Sequence, residues 1–518
     1  MTEGDTYKEC LSPPCAILPG MKKIAVPLLG LSLLVVLAAL ASPALAESRG
    51  IEHGQRYDRL VIRNVILIDG KGTPARGPLD VVVEGNKIAS VRGADPRPQA
   101  YKDEAHVLDG SGMYLLPGLI DSHIHLHDER AGIAQPFEYE HKIYLSCGVT
   151  TVRDVGTDPK KAVAERRKSL EGTIVAPRIY VYMVAGGRTP EEGRKAVRAA
   201  KEQGADGIKA FAMDRDIMAA LLDEATKLGL KVADHMAVEE TDARDAAALG
   251  VDTIEHWYGV PDAALKGSQN FPPSYNFNNE GDRFRWAGRL WREADPAKLD
   301  ALLAEMVRAG VGWIPTFSTY EACRDMTRAR NLPWFKDYLH PALEEYFKPS
   351  PARHGAFSWG WSTEDEVAWK ENYRIWMKAV RDFADMGGLV GAGDDAGFIY
   401  TLYGFTYLSE LELLQEAGFH PLDVIQCATG NNAKLMGLEG ELGRVRQGYL
   451  ADLILIDENP LANLKYLYPT GVLDIKDGKD VVRGGIKWTI KDGLVYSTPR
   501  LMQEVKDIVA KARTERAK

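Results

Sequence analysis

Eight short, nearly continuous apolar runs punctuate the middle of this chain, at residues 118–121, 150–153, 178–184, 207–210, 231–233, 253–255, 312–316 and 388–392. Amphipathic stretches of helical period, such as 191–203 and 214–228, lie between several of them. Strands that are apolar on both faces need cover on both faces, and strand-then-helix repetition supplies it by laying helices over a parallel sheet. Eight such units close a sheet on itself, so the alternation predicts an α/β fold of the TIM (β/α)8 barrel type. In such a barrel the reactive groups stand at the carboxyl ends of the strands.

Those ends are polar in this chain. The first run ends in Asp121-Ser122-His123-Ile124-His125 and the fourth reaches Lys209. The fifth leads into His235, the sixth into His256, and the eighth into Gly393-Asp394-Asp395. Alternate residues of an extended strand point the same way, so His123 and His125 can reach one ion together. Imidazole and carboxylate donors suit divalent cations, zinc foremost. His235 and His256, from neighbouring strands, can hold a second ion. An ammonium at Lys209 would repel cations, whereas a lysine carboxylated by carbon dioxide would bridge them. Asp395 would complete the first ion's shell and act as acid and base. Any one of these residues alone reads as an ordinary core or rim residue; their joint placement on five strand ends predicts the metal site. Candidate substrate contacts are Arg153 and Arg188, after strands two and three, and Trp257 and Tyr258, directly after His256. His127, one alternation beyond His125, is either a pocket-lining or a rim residue. His53, His106, His141, His340, His354 and His420 fit no strand end and read as structural or surface residues.

Short β-rich runs with glycine turns flank the barrel region, at 60–68, 79–83 and 87–91 before it and at 450–456 and 486–496 after it. They predict one small β-sandwich built from both ends of the mature chain, residues 47–116 and 437–518, around a barrel in 117–436. At the N-terminus, Lys22-Lys23, the apolar run 24–41 and the ending Ala44-Leu45-Ala46 have the order of a signal peptide. Residues 1–46 are therefore expected to be removed, with Met21 as the initiator. The protein is then expected in the periplasm or outside the cell, touching a membrane only if that segment stays uncleaved. Cys147, Cys323 and Cys427 remain, too few and odd in number for a disulfide framework, and read as buried small hydrophobes. A formal charge of −9 gives no basic footprint for nucleic acid. The expected partners are a small-molecule substrate and further copies of this chain in a homo-oligomer.

The run Leu116-Pro117-Gly118-Leu119-Ile120-Asp121-Ser122-His123-Ile124-His125-Leu126 resembles the opening motif of the amidohydrolase superfamily. Gly148-Val149-Thr150-Thr151-Val152-Arg153-Asp154-Val155-Gly156 is similar to its second strand, and Gly204-Ala205-Asp206-Gly207-Ile208-Lys209 to the strand that carries its carboxylated lysine. Gly250-Val251-Asp252-Thr253-Ile254-Glu255-His256 is similar to its sixth strand. Ala428-Thr429-Gly430-Asn431-Asn432-Ala433 and Gly448-Tyr449-Leu450-Ala451-Asp452-Leu453 resemble its C-terminal signature. The resemblance runs from about Tyr57 to Tyr496 and is nearest in style to the imidazolonepropionase and bacterial prolidase-like branch. It implies a hydroxide bridging two divalent ions, with His123, His125 and Asp395 on one and His235 and His256 on the other. Lys209, carboxylated on its side-chain nitrogen, would join them.

Two departures bear on the reaction. Relatives often read Gly-Thr-Asp where this chain has Gly393-Asp394-Asp395; alignment on Ala396-Gly397 selects Asp395, with Asp394 as the alternative. Prolidase-like relatives commonly carry a second histidine where this chain has Ala237, which leaves the substrate class open. Deaminases and imidazolonepropionases of the superfamily carry a glutamate three places after the strand-five histidine, and here Glu239 comes one place late. Together with Lys209 this favours hydrolysis of a C–N bond, in an N-acyl amino acid or dipeptide-like substrate. Lactone or ester hydrolysis by the same ions is the alternative, and a non-catalytic interaction barrel the remaining one. Nine of the ten tryptophans fall between Trp257 and Trp376, a region with two long segments, 259–296 and 318–363. These are expected to be lids over an apolar or aromatic substrate, or else packing and interface elements.

Overall fold

The computed structural model describes residues 50–97, 100–101, 105–211, 213–235, 241–267, 271–276, 279–350, 352–358 and 360–518. The expected leader, residues 1–46, lies outside them, as do Ala237, Glu239 and Trp359. Among the described residues no helix is long and apolar enough to cross a membrane.

The eight expected strands are present: Leu119–Ile124, Val149–Asp154, Arg178–Val184, Gly207–Phe211, Lys231–His235, Thr253–Glu255, Gly312–Ile314 and Leu389–Val390. They are numbered one to eight below. Each pairs in parallel with its neighbour in chain order, forming one curled sheet. Ser122 N donates to Ala392 O at 3.1 Å and Asp395 N to His123 O at 2.8 Å, so the chain leaving strand eight lies along strand one. Glycine is required at that seam, because a Cβ on Gly393 would stand 2.7 Å from the Cβ of His123.

Local chemistry sets the outer helices. Pro296–Ala309 starts with Asp295 capping Ala297 N and Lys298 N, has proline in its first turn, and stops at Gly310 in a left-handed conformation. Its buried residues, Leu299, Leu302, Leu303 and Met306, follow the helical period and form the stripe that joins the main core. Truncating Leu303 to alanine would cost about 2–5 kcal/mol, the range for a buried leucine. The aspartates of the Gly-x-Asp turns are structural. Asp206 Oδ2 accepts from Val181 N at 2.7 Å and Asp252 Oδ2 from Val232 N at 2.8 Å, each tying the start of one strand to its neighbour.

Strands from both flanks share a second, nine-stranded sheet. Leu453–Ile456 runs antiparallel to Tyr114–Pro117, and Leu60, Ile62, Val81, Leu115, Leu453, Ile490 and Val495 form a core of their own. The strands expected from both flanks thus join in one hydrogen-bonded sheet. It is irregular where Arg59–Leu67 shifts register between Ile62 and Val65, with Asn64 at φ 57°. Asp452 of the C-terminal signature locks this sheet to the barrel region through Arg178, at 2.6 Å.

Both long segments carry short helices, among them Glu280–Ala287 and Pro341–Tyr346. Much of the aromatic content in and around them is packing: Trp291 of the first segment and its neighbours Trp257, Trp313, Trp369 and Trp376 are fully buried, and Tyr320 of the second stacks on Trp369. Cys147, Cys323 and Cys427 are buried and form no disulfide, as expected.

Candidate metal centre

Strands one, four, five, six and eight bring their polar ends to one place. The Nε2 atoms of His123, His125 and His256 lie 3.9, 3.3 and 3.8 Å from the carboxylate of Asp395. Ring centres are 5.6 Å apart for His123 and His125, 4.7 Å for His123 and His256, and 4.6 Å for His235 and His256. The tightest ligand-type group among the described residues is His123, His256 and Asp395, with donor atoms within 4.8 Å of one another. That group cuts across the expected split into two shells and makes the site one continuous cluster.

The cluster leaves polar atoms without partners. His123 Nε2, His256 Nε2 and Lys209 Nζ are buried and form no hydrogen bond. Buried polar groups are paired in nearly all proteins, so these orphans, two of them on the His123–His256–Asp395 group, mark a place for a further group. Imidazole and carboxylate donors are the set that holds a divalent ion. Electrostatics agree. Burial, reinforced by neighbouring positive groups including Lys209, pushes His123, His235 and His256 well below the usual histidine range. All three are therefore neutral near pH 7 and present a lone pair. Burial also lowers the Lys209 ammonium to about 8.

The backbone at these strand ends is unusual. His256, Thr316 and Asp395 adopt φ of 62°, 48° and 46°, a region that costs non-glycine residues about 1–3 kcal/mol each. The turns end the strands early and re-aim the side chains. His256 Nδ1 meets Thr316 Oγ1 at 2.5 Å, which fixes the ring from behind. His123 Nδ1 donates to Glu255 Oε2, and Glu255 Oε1 accepts from Arg153 at 2.7 Å and from Thr253 Oγ1 at 2.7 Å. Partners of this kind hold a ligating histidine in one tautomer.

The two aspartates after strand eight separate clearly. Asp395 faces the histidines. Asp394 is fully buried, accepts from Ala396 N at 3.0 Å and Gly404 N at 3.3 Å, and is raised to about 7 by burial.

The substrate contacts expected from sequence fare less well. Arg153 is 1% exposed, and its guanidinium donates to Ser122 O, Thr253 Oγ1 and Glu255. It supports the centre from inside the sheet and does not face a substrate. Arg188 lies exposed in the loop after strand three. Trp257 is buried against Trp369 and Trp376. Tyr258 does line the cluster, with its ring 5.0 Å from His235 and its hydroxyl 2.8 Å from that of Tyr320. His127 sits at the rim beside Tyr403 and Arg130.

Sequence reasoning missed Phe398, which stands edge-on to His125 at 5.5 Å, and His354, which packs on Phe398 at 5.0 Å. His354 therefore belongs to the surroundings of the centre; only its place in a long segment over the catalytic face hinted at this.

The profile of the Amidohydrolase family matches residues 114–268 and 377–481. Dihydroorotase of Thermus aquaticus is 28% identical over 211 residues, 39% of this chain and 46% of that protein. The match thus spans less than half the length of that curated relative. Among solved structures, the fold is similar to that of bottromycin amidohydrolase, with a TM-score of 0.62 and 19% identity, covering 89% of this chain and 92% of that one. It is also similar to a Xaa-Pro dipeptidase with methionine in its active site, with a TM-score of 0.60 and 21% identity, covering 85% and 100%.

Proposed function

The chain belongs to the amidohydrolase family, and on that premise we propose that it is a metal-dependent hydrolase of an amide C–N bond. The substrate class is an N-acyl amino acid or a dipeptide-like molecule with an apolar or aromatic side. The observation that carries this reading is the convergence of His123, His125, His235, His256 and Asp395 around the unpartnered Lys209 Nζ. In this reading the curled sheet works as a closed (β/α)8 barrel with its centre at the carboxyl end.

Two divalent ions, zinc by donor type, when bound there lower the pKa of water and polarise a carbonyl. His123, His125 and Asp395 would hold one such ion and His235 and His256 a second, and Lys209, once carboxylated, would supply a further oxygen donor to them. A buried amine lowered to about 8 is about one tenth neutral near pH 7, far more than an ordinary lysine, and the neutral amine is the form that attacks carbon dioxide. Asp395 takes a proton from the attacking water and returns it to the leaving nitrogen. Tyr258 and Phe398 flank the histidines and supply an aromatic wall, and the segments 259–296 and 318–363 act as lids.

The test is a hydrolysis screen of N-acyl amino acids, dipeptides, cyclic amides and lactones with zinc-loaded protein. Turnover of lactones with none of any amide would overturn the reaction class. We also place the protein outside the cytoplasm, on the order of residues 22–46; N-terminal sequencing from the native host should start at or beside Glu47.

A further inference from the structure

We propose that Arg130 anchors a carboxylate of the substrate, so that the preferred substrates are N-acyl amino acids and dipeptides with a free carboxyl group. The inference rests on the amide-hydrolase reading above. Arg130 lies in the short strand Glu129–Arg130, where the chain turns after His125 and His127. It is only 9% exposed. Its guanidinium carbon is 4.6 Å from the ring centres of both Tyr346 and Phe398, its NH2 group donates to His127 Nε2, and its Nε is buried with no partner.

What this side chain lacks is a counter-ion. No ion pair to Arg130 forms among the described residues. Glu140, a fully buried carboxyl that burial raises well above its usual range, accepts instead from His127 N at 3.0 Å and Gln135 Nε2 at 2.6 Å. A charge withdrawn from water is costly unless paired, and aromatic faces offset only part of that cost. Two other deeply buried arginines obey the rule: Arg153, beneath the centre, pairs with Glu255 at 2.7 Å, and Arg178, at the start of strand three, with Asp452 at 2.6 Å.

Position supplies the second half of the argument. The ring on which Arg130 lies, Phe398, is the one that stands edge-on to His125. An anion on Arg130 is therefore one ring away from the metal-ligand cluster. In an N-acyl amino acid only three bonds separate the scissile carbonyl carbon from the carboxylate carbon. A planar guanidinium fork is the side chain that matches a carboxylate with two parallel hydrogen bonds.

The experiment compares wild type, Arg130→Met and Arg130→Lys with two probes, N-acetyl-L-phenylalanine and N-acetyl-L-phenylalaninamide. Binding is measured by calorimetry on metal-free protein, and hydrolysis of matched acid and amide substrates on zinc-loaded protein. Wild type should prefer the acid by about 10–100-fold, the worth of a charge-assisted pair. Arg130→Met should abolish that preference, with the change in turnover appearing in KM more than in kcat. Equal binding of both probes by wild type, or an undiminished acid preference in Arg130→Met, overturns the anchor. Arg130→Lys, which keeps the charge and loses the fork, should keep only part of the preference; if Arg130→Met does not fold, Arg130→Gln takes its place, and a wild-type preference in it overturns the proposal. Arg130-dependent binding of the acid without hydrolysis of any amide supports the anchor and overturns the amide reading.

Discussion

Replacing Glu255 with glutamine keeps the volume and removes the charge beneath the centre. Glu255 accepts on both oxygens, from His123 Nδ1 on one and from Arg153 and Thr253 on the other. Glutamine has a single oxygen. If that oxygen serves Arg153, the amide NH2 faces the Nδ1–H of His123, donor against donor. The ring can relieve the clash only by moving its proton to Nε2, the atom that faces Asp395. If the oxygen serves His123, the NH2 faces a buried guanidinium. Loss of such an orienting partner typically lowers metal affinity 10–100-fold, or about 1.4–2.7 kcal/mol. Leaving Arg153 without its counter-charge adds on the order of 3–5 kcal/mol of lost folding stability.

The pH dependence has a definite sign. Burial alone would raise the Glu255 carboxyl, but Arg153, Lys209 and the hydrogen bond from Thr253 outweigh it and hold it below its usual value. Its stabilising contribution is therefore full above the pKa of the unfolded carboxyl and is lost as pH falls through the folded one. The stability gap between wild type and Glu255→Gln should be widest near neutrality and close in acid. Zinc affinity by chelator competition and imidazole tautomers by nitrogen-15 NMR on metal-free protein provide the assay. We expect weaker zinc binding and loss of the Nδ1–H signal of His123, identified by its absence in His123→Asn. A variant that melts earlier yet binds zinc as wild type, with its tautomers unchanged, would refute the reasoning and leave Glu255 as a core ion-pair partner only.

Lys209→Ala should retain the fold and lose about one of two zinc ions by elemental analysis in bicarbonate buffer; retention of both rules out a bridging lysine. Asp395→Asn should lower kcat by about 10²–10⁴-fold. Asp394→Asn should chiefly lower the melting temperature, because its oxygens hold Ala396 N and Gly404 N; a dead Asp394 variant with an active Asp395 one would invert the assignment. Glu410 is raised to about 8 by burial, so it folds protonated, and its contribution to stability is lost as pH rises from the unfolded value through about 8. Melting curves should show Glu410→Gln gaining on wild type across that window and flattening beyond it; a gap independent of pH would place the ionisation elsewhere.

The sheet was legible because strands buried on both faces leave a continuous apolar signature whatever their partners. Their ends were less so. Residues 312–316 read as one strand, but the strand stops at Ile314 because Thr316 turns left-handed to meet His256. Nothing local announces such a turn, since it is held by a contact with another strand. The flanking module shows the same limit. Its strands could be recognised singly, but the pairing of Leu453–Ile456 with Tyr114–Pro117 joins residues more than 300 positions apart, and the continuity of the sheet follows from such pairings.

At the centre, side-chain parity along a strand was enough to find the ligand-type residues and could not supply depth. Arg153 was expected to follow strand two, yet it lies within that strand, a layer below the histidines, where Ser122 O and Glu255 take its donors. Arg130 fits no strand-end rule, and its setting is made by Tyr346 and Phe398, which are distant in sequence. Three buried cations thus surround the cluster, and only Arg153 has its counter-charge built into the chain. Lys209 Nζ and Arg130 Nε have no partner at all. A fold that pairs Arg153 and Arg178 to within 2.7 Å has the means to pair the others. In the proposed chemistry both are neutralised from outside: carbon dioxide adds to the neutral Lys209 amine and a proton leaves, which replaces the cation with a carboxylate, and the substrate's own carboxylate pairs with Arg130.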